Sequence, residues 1–516
     1  METITTDVLI IGAGAAGIRA ALAASEAGAD VVMVAKAPPT EGGSTFSPVS
    51  KGWGIQALMG DERTEENLEA FYDDIMRVGL GRCDPTLVRV LVEESGPRLA
   101  DLMSYGLRFR KDGDGRYVRV AGCFSTYQRA FVTESMANIA DTFKSVLKRS
   151  HVKTVVGETV DLAIADGACW GAWVFTDAGE MVQVTARATI LATGGGAGIF
   201  EDHLVSDDLV GDGYALAYRA GAELVNVEFI QFMLGLKAGG TRQFLPLSRL
   251  GVGGLLEDTQ GRNVLEGFCQ DAKMLARAVE ERKTHFPFSC RDRSLLVDIA
   301  VAAERRHGRS VRWTHRLGSE PSDIPEVVHF AHAFNGGAVI DDRAETTVPG
   351  LFAAGEVAAG PHGADRIGGC MMTATQVFGE RTGRFAARKA RQPGQRQIPE
   401  VRLPQELQGV SPSKHSGPEG LSGIEHAIRQ TMADCLGIVR TKEAMDMCRT
   451  RLDNFNKMVH GSRFEEGLVT SSYFKVRNMV RTAALVTDLA LLREQSLGSH
   501  YRHNFPPGLP PMMPTA

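Results

Sequence analysis

Apolar positions run unbroken from Val8 to Ile11 and stop at glycine: residues 8–17 read Val-Leu-Ile-Ile-Gly-Ala-Gly-Ala-Ala-Gly. Such a run predicts a strand buried on both faces, and the alanine-rich stretch 18–27 after it predicts a helix. The glycines between them have separate tasks. Gly12 makes the tight turn, Gly14 lets a pyrophosphate approach the backbone, and Gly17 lets helix and strand pack closely. The helix N-terminus offers free N–H groups and a positive dipole end to phosphates. A second strand, 30–35, leads into Ala35-Lys36 rather than the acidic residue that would hold a ribose hydroxyl, which argues against simple NAD binding at this turn.

Helical spacing after acidic openings predicts helices over 65–78 and 85–105. Strand patterns return at 153–165, 169–177 and 181–184, and the apolar run 188–193 meets Gly194, Gly195 and Gly196. A second buried strand ending in glycines lets another backbone segment lie close to the same ligand. Gly211-Asp212-Gly213 opens an expected helix, 214–220, in a way that suits phosphate or ribityl contact. From 227 to 330 the pattern loosens into charge clusters and isolated apolar runs, which predicts a separate inserted domain. Strands follow at 337–341 and 350–354, the latter leading into Gly355-Glu356-Val357, and a helix is expected over 371–391. Residues 392–423, rich in Pro, Gly, Ser and Gln, read as a linker. Amphipathic helices are expected at about 424–436, 442–457 and 473–495, and the proline-rich end reads as extended.

Composition narrows the class. The 516 residues suffice for two or three domains. With 43% hydrophobic and 23% charged residues and a net charge of −5, nothing points to nucleic acid or a lipid surface. No apolar stretch approaches the ~18 residues that cross a bilayer. The first strand begins too near Met1 for a leader, so a cytoplasmic protein is expected. The eight cysteines form no C-x-x-C pair and read as small hydrophobes in a reducing compartment. That excludes an iron–sulfur cluster of ordinary spacing within this chain, and no metal site is expected.

The assembled segments are similar to those of a known family. The matching stretches are 8–17, Thr40-Glu41-Gly42-Gly43-Ser44-Thr45-Phe46, Ala192-Thr193-Gly194-Gly195, Gly211-Asp212-Gly213, 348–357, His362-Gly363-Ala364-Asp365-Arg366, 436–440 and Gly498-Ser499-His500-Tyr501. Together they resemble the fumarate reductase, succinate dehydrogenase and L-aspartate oxidase flavoproteins, with a segment order closest to L-aspartate oxidase. The resemblance covers nearly the whole chain. It implies an α/β protein: a Rossmann-like FAD-binding domain in two pieces (1–226 and 336–395), an inserted α+β capping domain (227–335), a C-terminal helical domain (418–500) and a tail (501–516). FAD would be held by Gly12, Ala13, Gly14, Ala15, Ala16, Gly17, Lys36, Gly43, Ser44, Thr45, Gly52, Thr193, Gly194, Asp212, Glu356, Cys370, Met371 and Met372. Membrane-bound members carry a flavin-linked histidine where this chain has Thr45, so the resemblance implies noncovalent FAD.

Family members bind a dicarboxylate with two histidines and two arginines. His332 and Arg366 match one of each; the planar guanidinium takes a carboxylate bidentately. The family's His-Pro-Thr aligns with Met233-Leu234-Gly235, and the proton-donating arginine aligns with Leu250, one place from Arg249. The candidate catalytic set is therefore His332, Arg366 and Arg249, with Lys237 and Arg242 as further proton sources. Trp53 stands where relatives have glycine, and the threonine-glycine-histidine segment is missing around 133–137. These departures argue against ordinary fumarate reduction and aspartate oxidation. His329, three residues before His332 on a strand, faces the other way and reads as structural. Three readings remain open at this point: hydride transfer to or from a small carboxylate-bearing substrate, electron relay to an iron–sulfur, ferredoxin-like partner subunit, and flavin binding without turnover.

Overall fold

The computed structural model describes residues 2–47, 49, 52–315, 324–392, 397–404, 411–412, 419–466, 468–469 and 471–504. Half of the expected linker, 392–423, and all but the first four residues of the tail, 501–516, lie outside the described residues. The first strand, Glu2–Ile11, pairs in parallel with Val31–Ala35 on one side and Met181–Leu191 on the other. Leu351–Ala353 adds in parallel to Met181–Leu191. Lys153–Ala165 pairs in parallel with Val31–Ala35 and then turns into an antiparallel meander through Ala168–Thr176 to Met181–Leu191. The apolar composition follows from burial on both faces. Val8, Leu9, Ile10 and Ile190 are fully covered by the helices Ala15–Glu26 and Cys370–Ala390 and by the meander.

Register places the site. Val34 and Leu191 both lie opposite Ile11, and Ala353 lies opposite Leu191. Parallel strands thus end at one level, and just beyond those ends stand Gly12, Gly194 and Gly355, each with positive φ (113°, 75° and 79°). A cleft outside the carboxyl ends of parallel strands is where this kind of sheet binds ligands.

A second, wholly antiparallel sheet runs in the order Thr241–Phe244, Ile230–Ala238, Glu326–Phe334, Arg312–His315, Gly254–Glu257. The helices Ala272–Arg282 and Leu295–Arg306 cover one face, with Leu234, Val327, Val297 and Val301 in the shared core. This cap lies over the cleft. Three C-terminal helices, Glu419–Leu436, Lys442–Glu466 and Ser471–Leu492, pack against the first domain. The last of them reaches the cleft: Thr482 donates to the Gly211 carbonyl at 2.9 Å.

Some elements depart from expectation. The expected strand 337–341 shrinks to Gly337–Ala338. The helix Met136–Arg149 and the small sheet of Gly54–Gln56, Gln128–Val132 and Arg119–Ala121 add to the first domain. No helix among the described residues is long and apolar enough to cross a membrane.

Candidate functional site

A long cavity opens at the strand ends. At one end the helix Ala15–Glu26 begins at Gly14, which has no side chain to cap it. The Ala15 N–H is donated to Thr45 Oγ1 at 3.1 Å. A Cβ on Gly12 would fall 2.2 Å from the Ala192 carbonyl oxygen, and one on Gly17 would fall 2.0 Å from the Gly12 oxygen. The two glycines let strand, turn and helix close on one another, and the open helix end receives an anion. Lys36 lies beside this end, bound to Asp212 at 2.8 Å and to Glu158 at 3.4 Å. Burial alone would lower its pKa, but the two carboxylates outweigh it and hold the ammonium charged well above the ordinary lysine range. Asp212 also accepts from the Asn478 amide at 2.9 Å.

Midway along the cavity, Ser44 Oγ and Thr193 Oγ1 are buried on the wall with no hydrogen-bond partner. Buried hydroxyls without partners cost free energy unless a ligand satisfies them. These orphans, the uncapped helix and the glycine cradle fit a dinucleotide. Glu356 also lines the cavity, and its carboxylate accepts from the Phe334 N–H at 2.9 Å. Burial raises its pKa to about 7. Trp53 forms the wall beside Thr45, donating from Nε1 to the Thr45 carbonyl at 3.2 Å and resting edge-on against Phe143.

The far end lies under the cap. Arg366 is 8% exposed and lines the cavity. It donates to the amide oxygens of Asn335, at 3.4 Å, and Gln231, and among the described residues it forms no ion pair, although the buried Glu356 carboxyl lies near enough to favour its charge. The partner amide nitrogens, Gln231 Nε2 and Asn335 Nδ2, are left unsatisfied, as is His332 Nδ1. Burial, with the Arg366 charge adding to it, pushes the His332 pKa down to about 4, so its ring is neutral near pH 7. The loop carrying Arg366 is braced on several sides. Ser499 donates to the Ala364 carbonyl, Gln56 to the Gly368 carbonyl, and Ser289 and Arg291 of the cap to Asp365 at 2.7 and 2.9 Å.

The structure gathers most of the expected site residues and leaves three out. Gly12, Ala13, Gly14, Ala15, Ala16, Lys36, Gly43, Ser44, Thr45, Gly52, Thr193, Gly194, Asp212, His332, Glu356, Arg366, Met371 and Met372 line the cavity. Gly17 sits behind the turn as a spacer. Cys370 is buried in the first turn of its helix, its thiol pushed up to about 12 by burial. Arg249 is exposed and does not line the cavity. Lys237 is held by Asp202 at 2.8 Å, and Arg242 donates to the His203 carbonyl at 2.9 Å. His329 faces away, bound to Asp298 at 3.2 Å in a buried cluster with Arg282. Gln231, Asn335 and Asp365 were not among the expected residues. Only the neighbourhood of matched motifs marks them in the sequence.

A dinucleotide cradle on a parallel sheet, with a buried arginine on the cavity wall beneath a cap, defines a nucleotide-dependent redox protein. Residues 7–372 match the model of the FAD binding domain family, and residues 425–507 match that of the fumarate reductase flavoprotein C-terminus. The chain is 32% identical to one of the subunits of the fumarate reductase (CoM/CoB) of Methanothermobacter marburgensis, over 98% of this chain and 95% of that protein. It is 28% identical to the L-aspartate oxidase of Streptomyces coelicolor, over 97% and 89%. Its fold matches the E. coli quinol fumarate reductase flavoprotein FrdA with a TM-score of 0.79 at 22% identity, covering 98% of this chain and 92% of that one. The chain therefore belongs to the FAD-dependent oxidoreductase family of fumarate reductase, succinate dehydrogenase and L-aspartate oxidase flavoproteins.

Proposed function

We propose that this flavoprotein transfers two electrons between FAD and a small carboxylate-bearing substrate that Arg366 holds by its carboxylate. FAD, when bound, supplies the hydride chemistry. The observation that carries the reading is Arg366 itself: a buried guanidinium on the cavity wall whose hydrogen bonds go to two neutral amides. A buried cation with no ion-pair partner in contact is costly, and an anionic ligand lowers that cost. His332, neutral beside it, donates or accepts a hydrogen bond without adding charge. Gly12 to Ala16, Lys36, Ser44, Thr45, Thr193, Asp212 and Glu356 would hold FAD. Thr45 offers no ring nitrogen for a covalent link, which supports noncovalent binding.

The residues also limit the chemistry. Leu250 is buried in the cap core, Arg249 is exposed away from the cavity, and Lys237 and Arg242 are engaged elsewhere. A positioned general acid contributes about 10²–10⁴-fold, so fumarate reduction by this chain is expected to be slow by a factor of that order. The test is anaerobic flavin reduction and reoxidation with a panel of dicarboxylates, amino acids and acyl-CoA thioesters, repeated on Arg366→Lys. The lysine keeps the charge and loses the planar fork. FAD content should persist while exchange with the active acid falls about ten- to hundredfold, the worth of a charge-assisted contact of roughly 1.5–3 kcal/mol. Unchanged exchange, or loss of FAD, removes Arg366 from the substrate site.

The Methanothermobacter relative is one component of a multi-subunit reductase, which supports a second reading: electron relay to an iron–sulfur partner protein. Met447, Met458 and Leu492 expose apolar surface on the C-terminal helices, where a partner could dock. Relay through such a partner would be untouched by Arg366→Lys.

A further inference from the structure

We infer that the substrate carries one carboxylate and an apolar, preferably aromatic, tail that rests on Phe244 and Phe286 at the rim of the cap. This inference rests on the carboxylate-anchoring reading of Arg366 and goes on to assign the other end of the substrate.

Charge comes first. The strongly basic side chains on the cavity wall are Lys36 and Arg366, and Lys36 is paired with Asp212 and Glu158. That leaves one guanidinium for one carboxylate. Three cations of the cap are also paired. Lys237 and Arg305 share Asp202 at 2.8 and 2.9 Å, and Arg282 holds Asp298 at 2.7 Å. A second substrate carboxylate brought under the cap would lose its hydration without a counter-charge, a cost of several kcal/mol. Met233 and Leu250 add none, since both are buried in apolar clusters, Met233 with Leu204, Val328 and Phe330 and Leu250 in the cap core.

Shape comes second. The Phe244 ring stands edge-on to the His332 ring with centroids 6.3 Å apart, and the Phe286 ring lies 5.9 Å beyond it. Both phenylalanines are exposed, by 37% and 44%. An apolar pair left in water directly against a substrate-site histidine offers an aryl group the offset or edge-on contact that aromatic rings favour. Arg366 and His332 on the cavity wall and the two rings just outside it, reached through His332, thus form a graded site, charged at one end and apolar at the other.

Equilibrium binding to the oxidised holoenzyme tests this without depending on turnover. Isothermal titration with 3-phenylpropanoate, butanoate and succinate is expected to give 3-phenylpropanoate the highest affinity, about tenfold or more above succinate. Phe244→Ala should cost 3-phenylpropanoate about tenfold more affinity than butanoate, and Phe244→Leu should restore part of the difference. Succinate binding as tightly as 3-phenylpropanoate would overturn the inference and leave the Arg366 reading intact. Binding of all three acids that ignores Arg366→Lys would overturn the Arg366 reading, and this inference with it. Light scattering guards against another role for the rings. If Phe244→Ala changes the oligomeric mass and leaves ligand discrimination as it was, the pair is an interface between copies and the inference fails.

Discussion

Glu356 shows how one residue can belong to the ligand site and to the protein's pH response together. Its carboxyl is held near the cavity wall with a pKa of about 7, against an ordinary glutamate value of 4.5, because burial penalises the charged form. Between those values the folded chain binds more protons at this site than the unfolded chain. Its contribution to stability is therefore full below about 4.5 and is lost as pH rises through about 7. The FAD-free protein should accordingly lose stability between pH 5 and pH 8. In Glu356→Gln that loss should shrink by roughly 1–3 kcal/mol, read from denaturant midpoints at several pH values. An identical pH dependence in the variant would show that the carboxyl titrates elsewhere. His332 works in the opposite sense. Its pKa, lowered to about 4, makes its contribution present above 6.5 and lost as pH falls through 4, so between pH 5 and 6.5 it offsets part of the Glu356 effect, and the comparison with Glu356→Gln isolates the carboxyl.

At the scale of elements, the first strand and its glycine turn were legible because buried parallel strands write an unbroken apolar run into the sequence. The run 188–193 with its glycines was legible for the same reason. The helix Met136–Arg149 was also readable, with Ile139, Phe143 and Val146 at helical spacing behind the Ser135 cap, although it was not among the expected elements. The cap was harder. Its strands bury residues on both faces, as in Glu326–Phe334, and its central pairing, Ile230–Ala238 with Glu326–Phe334, joins distant segments, so no short pattern reveals it. Nor could local sequence show that Lys237 and Arg242 are engaged, because their partners Asp202 and His203 lie on a distant segment.

The helix Ser471–Leu492 supplies a contact of the same distant kind. Asn478 donates to Asp212 and accepts from Arg219 at 2.9 Å, holding the aspartate at the cavity from behind. Asn478→Ala should weaken FAD binding by about five- to tenfold, the worth of one hydrogen bond felt through Asp212 at roughly 1–1.5 kcal/mol. Fluorescence titration of FAD into the apoprotein measures this. An unchanged dissociation constant would mean that Asp212 does not contribute to holding the cofactor.

Across the whole molecule, the cap and the sheet are tied near Arg366. Ser289 and Arg291, on the cap side of the chain, both donate to Asp365, which is fully buried and shifted up to about 6 chiefly by that burial. Asp365→Ala removes both bonds. It should weaken carboxylate binding by about tenfold or more while FAD stays bound, and it should speed proteolysis within the cap. Unaltered ligand affinity together with unaltered proteolysis would show that the cap is held by its other contacts alone.

Asp365 and Arg366 are neighbours in the chain, one turned to the cap and the other to the cavity. A rigid peptide joins the two, so movement at one is passed to the other within a single residue. On the proposed reading of Arg366, a substrate drawn to the guanidinium would bear on the same peptide that the cap holds through Asp365, so seating and enclosure would be coupled. Release of product and opening to water would share a single rate.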